Sequence, residues 1–150
     1  MLVWENSMEV GVRSIDAEHK HLIDFISLVQ KASESQRGKF VNNKMMFVIR
    51  ELFQKHFLHE EDLMFGIKYP RVNQHMIEHS TMLTTYDMIA VDLQQSGDPS
   101  TAIDFITTWI TNHFKTEDAN LALFIRGLKQ AKAQKAIPKK SASSFAASGR

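Results

Sequence analysis

Apolar residues recur along this chain at intervals of three and four, the spacing that places side chains on one face of a helix. Leu22, Ile23, Ile26 and Val29 form one stripe, and Met45, Val48, Ile49 and Leu52 a second. Val72, Met82, Tyr86, Ile89 and Leu93 form a third, and Ala102, Ile106 and Trp109 a fourth. Glycine and proline fall between the stripes, at Gly38, at Gly66 and Pro70, at Gly97 and Pro99, and at Gly127. The pattern predicts four helices, over about residues 17–36, 40–65, 71–94 and 100–126. Asp16 is the expected N-cap of the first. Gly38, Gly66 and Gly127 are the expected stops of the first, second and fourth, and Pro70 suits the first turn of the third. No alternating strand pattern competes. Short links put neighbouring helices antiparallel, so the expected fold is all-α, an up-down-up-down antiparallel four-helix bundle.

Trp4, Val10, Val12 and Ile15 fit no helical period, and Gly11 interrupts them, so residues 1–16 are expected to form an extended arm. The Lys-, Ala- and Ser-rich residues 128–150 read as a frayed helical turn followed by disorder. The expected organisation is one bundle domain over 1–127 and a basic tail over 128–150.

The stripes carry polar residues that do not belong in an apolar core. His19 heads the first. His56 and Glu60 continue the second, His75 and His79 sit inside the third, and His113 extends the fourth, with Asp118 five residues on. A single histidine on a core face is most often satisfied by a hydrogen bond. Five histidines and two carboxylates on four core faces would have to satisfy one another in a dry interior, which is costly for carboxylates. Metal ions at the bundle centre resolve the difficulty, since imidazole and carboxylate are good ligands for iron and related ions. Seven donors are too many for one tetrahedral zinc and there is no H-E-x-x-H, so two ions are expected, with bridging carboxylates. One spacing is awkward: His113 and Asp118 lie about 140° apart around a regular helix, so Asp118 is expected to reach inward from the flank.

Composition sharpens this reading. There is no cysteine among the 150 residues, which excludes disulfides, thiolate metal sites and cysteine nucleophiles. The net charge of +1 conceals an asymmetry. Six of the 18 basic residues and none of the 17 acidic ones lie after Gly127, so residues 1–127 carry −5 and the tail +6. A solvated tail is expected in preference to a nucleic-acid-binding one. No secretory leader is evident and no stretch is long enough to cross a bilayer, so a cytoplasmic protein is expected. No phosphate loop, nucleophile–base pair or dinucleotide fingerprint is present.

The motifs together resemble a known family. Ile15-Asp16-x-x-His19-Lys20, His56-Phe57-x-x-Glu60-Glu61-x-x-Met64, Tyr69-Pro70 before His75-x-x-x-His79, and Trp109 before His113-x-x-x-x-Asp118 are similar in order and spacing to the hemerythrins, above all the single-domain bacterial ones. The resemblance covers about residues 4–125 and includes the Trp4 arm. It implies a non-heme di-iron centre with an oxo or hydroxo bridge. His75, His79 and His113 would hold one iron, His19 and His56 the other, and Glu60 and Asp118 would bridge. An open position on the second iron would bind dioxygen. The long basic tail is a departure from the family pattern.

The expected function is reversible dioxygen binding, for storage, delivery or sensing, by a monomer that is not an enzyme. A di-iron oxidase or peroxidase is the alternative, and an oxygen- or redox-sensing interaction module a third. Ligand balance separates the first two, because oxidase sites of the ferritin-like kind are rich in glutamate and use Glu-x-x-His. His21 is expected on the solvated side of the first helix. His59 is read as a surface residue or an outer neighbour of the site. Glu61, Asp62 and Glu78 are read as a solvated helix face, and Trp109, one turn before His113, as core packing beside the site.

Overall fold

A computed structural model describes residues 2–34 and 43–136. Among the described residues a 3-10 turn at Asn6–Met8 is followed by five helices: α1 (Arg13–Glu34), α2 (Asn43–Gly66), α3 (Val72–Ser96), α4 (Ser100–Lys115) and α5 (Glu117–Ala136). Helices α1 to α4 pack as a closed ring, each against the next and α4 against α1. Cross-links between α2 and α3 show that the two run antiparallel. The Tyr86 hydroxyl donates to the Met46 carbonyl at 2.7 Å, and Arg50 grips Asp87 through two bonds of 2.6 and 2.9 Å. At the other end of α2, Glu60 and Glu61 face His75 and His79 at the start of α3. The four-helix bundle expected from the periodicity is what the chain forms, with α5 prolonging the fourth helix.

Several boundaries differ from the sequence reading. Helix α1 begins at Arg13, so Asp16 is not its N-cap. Its Oδ1 instead accepts the backbone N–H groups of Val10 at 2.7 Å and Gly11 at 3.4 Å, tying the arm to the helix. Gly66 is the last residue of α2, as expected, and the left-handed residue just beyond it is Lys68 (φ 56°). Tyr69 N–H returns to the Met64 carbonyl and Lys68 N–H to that of Phe65, the paired bonds that close a helix end. Gly127 does not stop the last helix, which runs on to Ala136. Gly38 and residues 137–150 lie outside the described residues. In α2 the buried face is Met46, Ile49, Phe53 and Phe57, whereas Val48 is 40% exposed.

Two apolar clusters fill the bundle. The larger gathers Leu22, Ile26, Phe53, Met82, Ile106 and Ile110 among others. The smaller gathers Val10, Ile15, Met64, Tyr69, Leu121 and Ile125. Along every helix a polar residue stands between the two. His19 separates Ile15 from Leu22, and Glu60 separates Phe57 from Met64. His79 lies a turn before Met82, and Asp118 lies between Phe114 and Leu121. The fold thus holds one polar layer across the bundle, sealed above and below by hydrocarbon.

Candidate metal centre

That layer contains His19, His56, Glu60, His75, His79, His113 and Asp118, all at most 4% exposed. One group comprises Glu60, His75, His79 and His113, and another His19, His56 and Glu60. In each, the donor atoms lie within 4.8 Å of one another. The five Nε2 atoms point inward. His19 and His56 approach Nε2 to Nε2 at 3.1 Å, His75 and His113 at 3.0 Å, and His79 and His113 at 3.2 Å. Asp118 spans both groups, with Oδ1 3.1 Å from His113 and 3.2 Å from His75, and Oδ2 3.5 Å from His19. Glu60 Oε2 lies 3.2 Å from His75 and 3.4 Å from His79.

Asp118 reaches this position because the chain does not continue as one regular helix. The expected unbroken fourth helix is interrupted at Thr116 (φ −114°, ψ −80°), which separates α4 from α5. Asp118 then belongs to the first turn of α5, beside Glu117, where free backbone N–H groups favour a carboxylate. The break, not a side chain stretched from the flank, brings it beside His113.

Outer partners decide which ring nitrogen faces inward. His79 Nδ1 donates to Glu61 Oε1 at 2.9 Å, and His56 Nδ1 to Glu18 Oε2 at 3.3 Å. In a neutral imidazole the nitrogen that donates carries the proton, so Nε2 is left with a lone pair. Glu18 and Glu61 were not among the sequence candidates, and Glu61 is not part of a merely solvated face. Both sit beside a ligand-type residue in sequence, but their partners lie on another helix, so only the folded chain reveals them. Glu18 also accepts from His59 Nδ1 at 2.5 Å, which makes the half-exposed His59 an outer neighbour of the site. His21 is exposed, as expected. Aromatic rings clamp the imidazoles: Phe57 stacks on His79 at 3.8 Å, Phe114 on His19 at 4.2 Å and Trp109 on His113 at 4.3 Å. Trp109 thus packs in the core beside the site, as expected.

Whether this cluster suits cations can be judged from its unsatisfied atoms. Both oxygens of Glu60 and both of Asp118 are buried without an aligned hydrogen-bond donor. A native core rarely leaves such groups unpaired. Four orphaned carboxylate oxygens opposite converging imidazole lone pairs fit positive ions in their midst. In the metal-free protein, protons partly fill that role. Burial and Asp118 push the Glu60 carboxyl up, but His75, His79 and His56 outweigh them and hold it below its ordinary range. Burial likewise opposes ionisation of Asp118, yet His113, His75 and His19 keep its carboxyl well below the usual value. Burial lowers His75, but Asp118 and Glu60 raise it on balance to about 9. His56 is raised by Glu18, Glu60 and Asp118 against burial, while burial lowers its neighbour His19.

Fold and site together define a helical-bundle protein built around a buried cluster of imidazoles and carboxylates. Residues 10–124 match the family described as the Hemerythrin HHE cation binding domain. The chain belongs to the hemerythrin family. It is 27% identical to the Bacteriohemerythrin of Clostridium acetobutylicum, over 79% of this chain and 96% of that protein. It is 26% identical to the Bacteriohemerythrin of Pseudomonas paraeruginosa, over 83% of this chain and 82% of that one. Hemerythrin subunit 1 of Golfingia vulgaris is 29% identical, over 77% of this chain and 86% of its own length. Among the described residues no helix is long and apolar enough to cross a membrane.

Proposed function

We propose that this protein binds dioxygen reversibly at a di-iron centre. His75, His79 and His113 are assigned to one iron and His19 and His56 to the other, with Glu60 and Asp118 bridging. The observation that carries the reading is the convergence of five Nε2 atoms and two unpaired carboxylates in one sealed layer. Two irons bound there would supply the electrons that a dioxygen ligand takes up and returns. The chain's own residues do the rest. Glu18 and Glu61 hold their imidazoles in the ligating tautomer. Phe57, Phe114 and Trp109 fix ring orientation and keep water away.

An oxidase or peroxidase needs a proton delivered where the O–O bond breaks. Glu18 and Glu61 face the outer Nδ1 atoms, not the interior of the layer. The five imidazoles outnumber the two carboxylates, which also favours a carrier or sensor over the glutamate-rich oxidase pattern. Anaerobic iron(II) titration with metal analysis tests the assignment. Two irons per chain are expected. One zinc per chain, with no uptake of iron, would overturn it.

A further inference from the structure

The five imidazoles divide unequally. Three gather on one side with Glu60, and His19 and His56 form the other group with the same carboxylate. The second group has one nitrogen fewer, so it is the half with room for an outside ligand. Stacked rings wall both halves, Phe57 and Trp109 against His79 and His113 and Phe114 against His19, whereas His56 has Phe57 only tilted beside it at 5.7 Å. On the two-imidazole side, a cleft of about 240 Å³ opens between α1 and α2 and is lined by His56 itself. Leu22 lies beside His56 in the lining, and both are only 2% exposed. Ala17 and Lys55 are exposed and stand towards the mouth, while Leu52 is partly buried. Lys55 and Glu18 bring opposite charges to the cleft, so their signs offset for an ion, whereas Ala17, Leu22 and Leu52 offer a neutral molecule an apolar path.

We propose that this cleft is the gateway by which a small uncharged diatomic ligand reaches the His19–His56 half of the centre, with Ala17 and Leu52 setting its width. The proposal rests on the dioxygen reading above and adds to it the route. Leu52→Ala should widen the passage. Ala17→Phe places a ring at the mouth, from an exposed helix position where it displaces no core residue. A barrier on a route slows arrival and departure alike and leaves equilibrium affinity unchanged.

The test is stopped-flow mixing of the iron-loaded protein with dioxygen, combined with crystals of the same protein pressurised with xenon. Ala17→Phe is expected to slow both association and dissociation at least ~10-fold, with affinity and iron content unchanged, and Leu52→Ala to speed both. Xenon should occupy the cleft of the wild-type protein beside Leu22 and Leu52, and its occupancy should fall in Ala17→Phe, whose ring fills part of that volume. Rates unmoved by either substitution would overturn the gateway, as would a changed affinity at unchanged association rate. A wild-type protein that holds iron but forms no reversible dioxygen complex would defeat the reading of function instead, and the xenon result would still decide whether the cleft admits a small apolar gas.

Discussion

Glu61 Oε1 accepts a 2.9 Å hydrogen bond from His79 Nδ1, so a carboxylate on α2 sets the tautomer of an imidazole on α3. Glu18 does the same for His56 from α1. Removing either acceptor leaves the ring free to turn and makes it less basic. Glu61→Ala and Glu18→Ala are each expected to weaken iron retention about 10- to 100-fold. Glu61→Gln keeps an acceptor oxygen and should lose much less. Competition against a chromophoric chelator measures all three.

The same geometry ranks the histidines. His79→Ala removes an inward Nε2 from a sealed layer and should abolish binding of about one iron per chain. His59→Ala removes only an outer partner of Glu18 and should reduce iron affinity severalfold at most. His21→Ala should leave iron content unchanged, because the side chain is exposed. Metal analysis of the purified variants checks the order. Loss of iron from the His21 variant would contradict it.

The pattern of apolar positions was enough to anticipate the bundle, because each helix buries a stripe too regular to read otherwise. It also marked the seven polar residues of the central layer, since all fall on or beside those stripes. What it missed depends on contacts between helices. His113 and Asp118 meet only because the helix breaks at Thr116; the local signal for that break is Thr116 followed by the acidic Glu117 and Asp118, a helix-start pattern that the apolar spacing across it masks. Gly66 ends α2 as the pattern suggested, but the left-handed position just beyond it falls to Lys68, which spacing alone does not show. Val48 fitted the stripe by spacing, but the buried face runs through Met46, Ile49, Phe53 and Phe57 and leaves it at the edge, 40% exposed. Gly127 lies in an exposed stretch of helix, where its cost is modest and does not end the run.

Proton release should accompany iron uptake. In the metal-free protein His75 titrates at about 9, because Asp118 and Glu60 outweigh the burial that disfavours its charge, and His56 is also raised. Both therefore favour their protonated forms relative to an ordinary imidazole. An iron ion must displace those protons, so apparent affinity should rise with pH through the neutral range and level off near pH 9. Calorimetric titrations in buffers of different ionisation enthalpy would detect the released protons. An affinity that falls as pH rises over this range would contradict the assignment.

Stability and metal binding should separate at Tyr86. Its buried hydroxyl is satisfied by the Met46 carbonyl, in the larger core away from the polar layer. Tyr86→Phe removes one buried hydrogen bond, while the carbonyl keeps its own helical partner, and should cost about 0.5–1.5 kcal/mol. Thermal unfolding should then occur several degrees lower, by roughly 2–4 °C per kcal/mol. Iron content should stay at the wild-type level. A variant that loses iron as well would show that the core around Tyr86 and the metal layer are coupled.

Reversible dioxygen binding is tested most directly by repeated oxygen cycling of the anaerobically reconstituted protein, followed by its visible absorption. The apolar clusters above and below the layer should limit the water and protons that reach the bound ligand. The diferrous protein is expected to be nearly colourless, to gain a charge-transfer band with oxygen, and to lose it when oxygen is withdrawn, over many cycles. Irreversible oxidation at the first exposure, or rapid turnover of peroxide with an added reductant, would contradict the account and point to the enzyme reading.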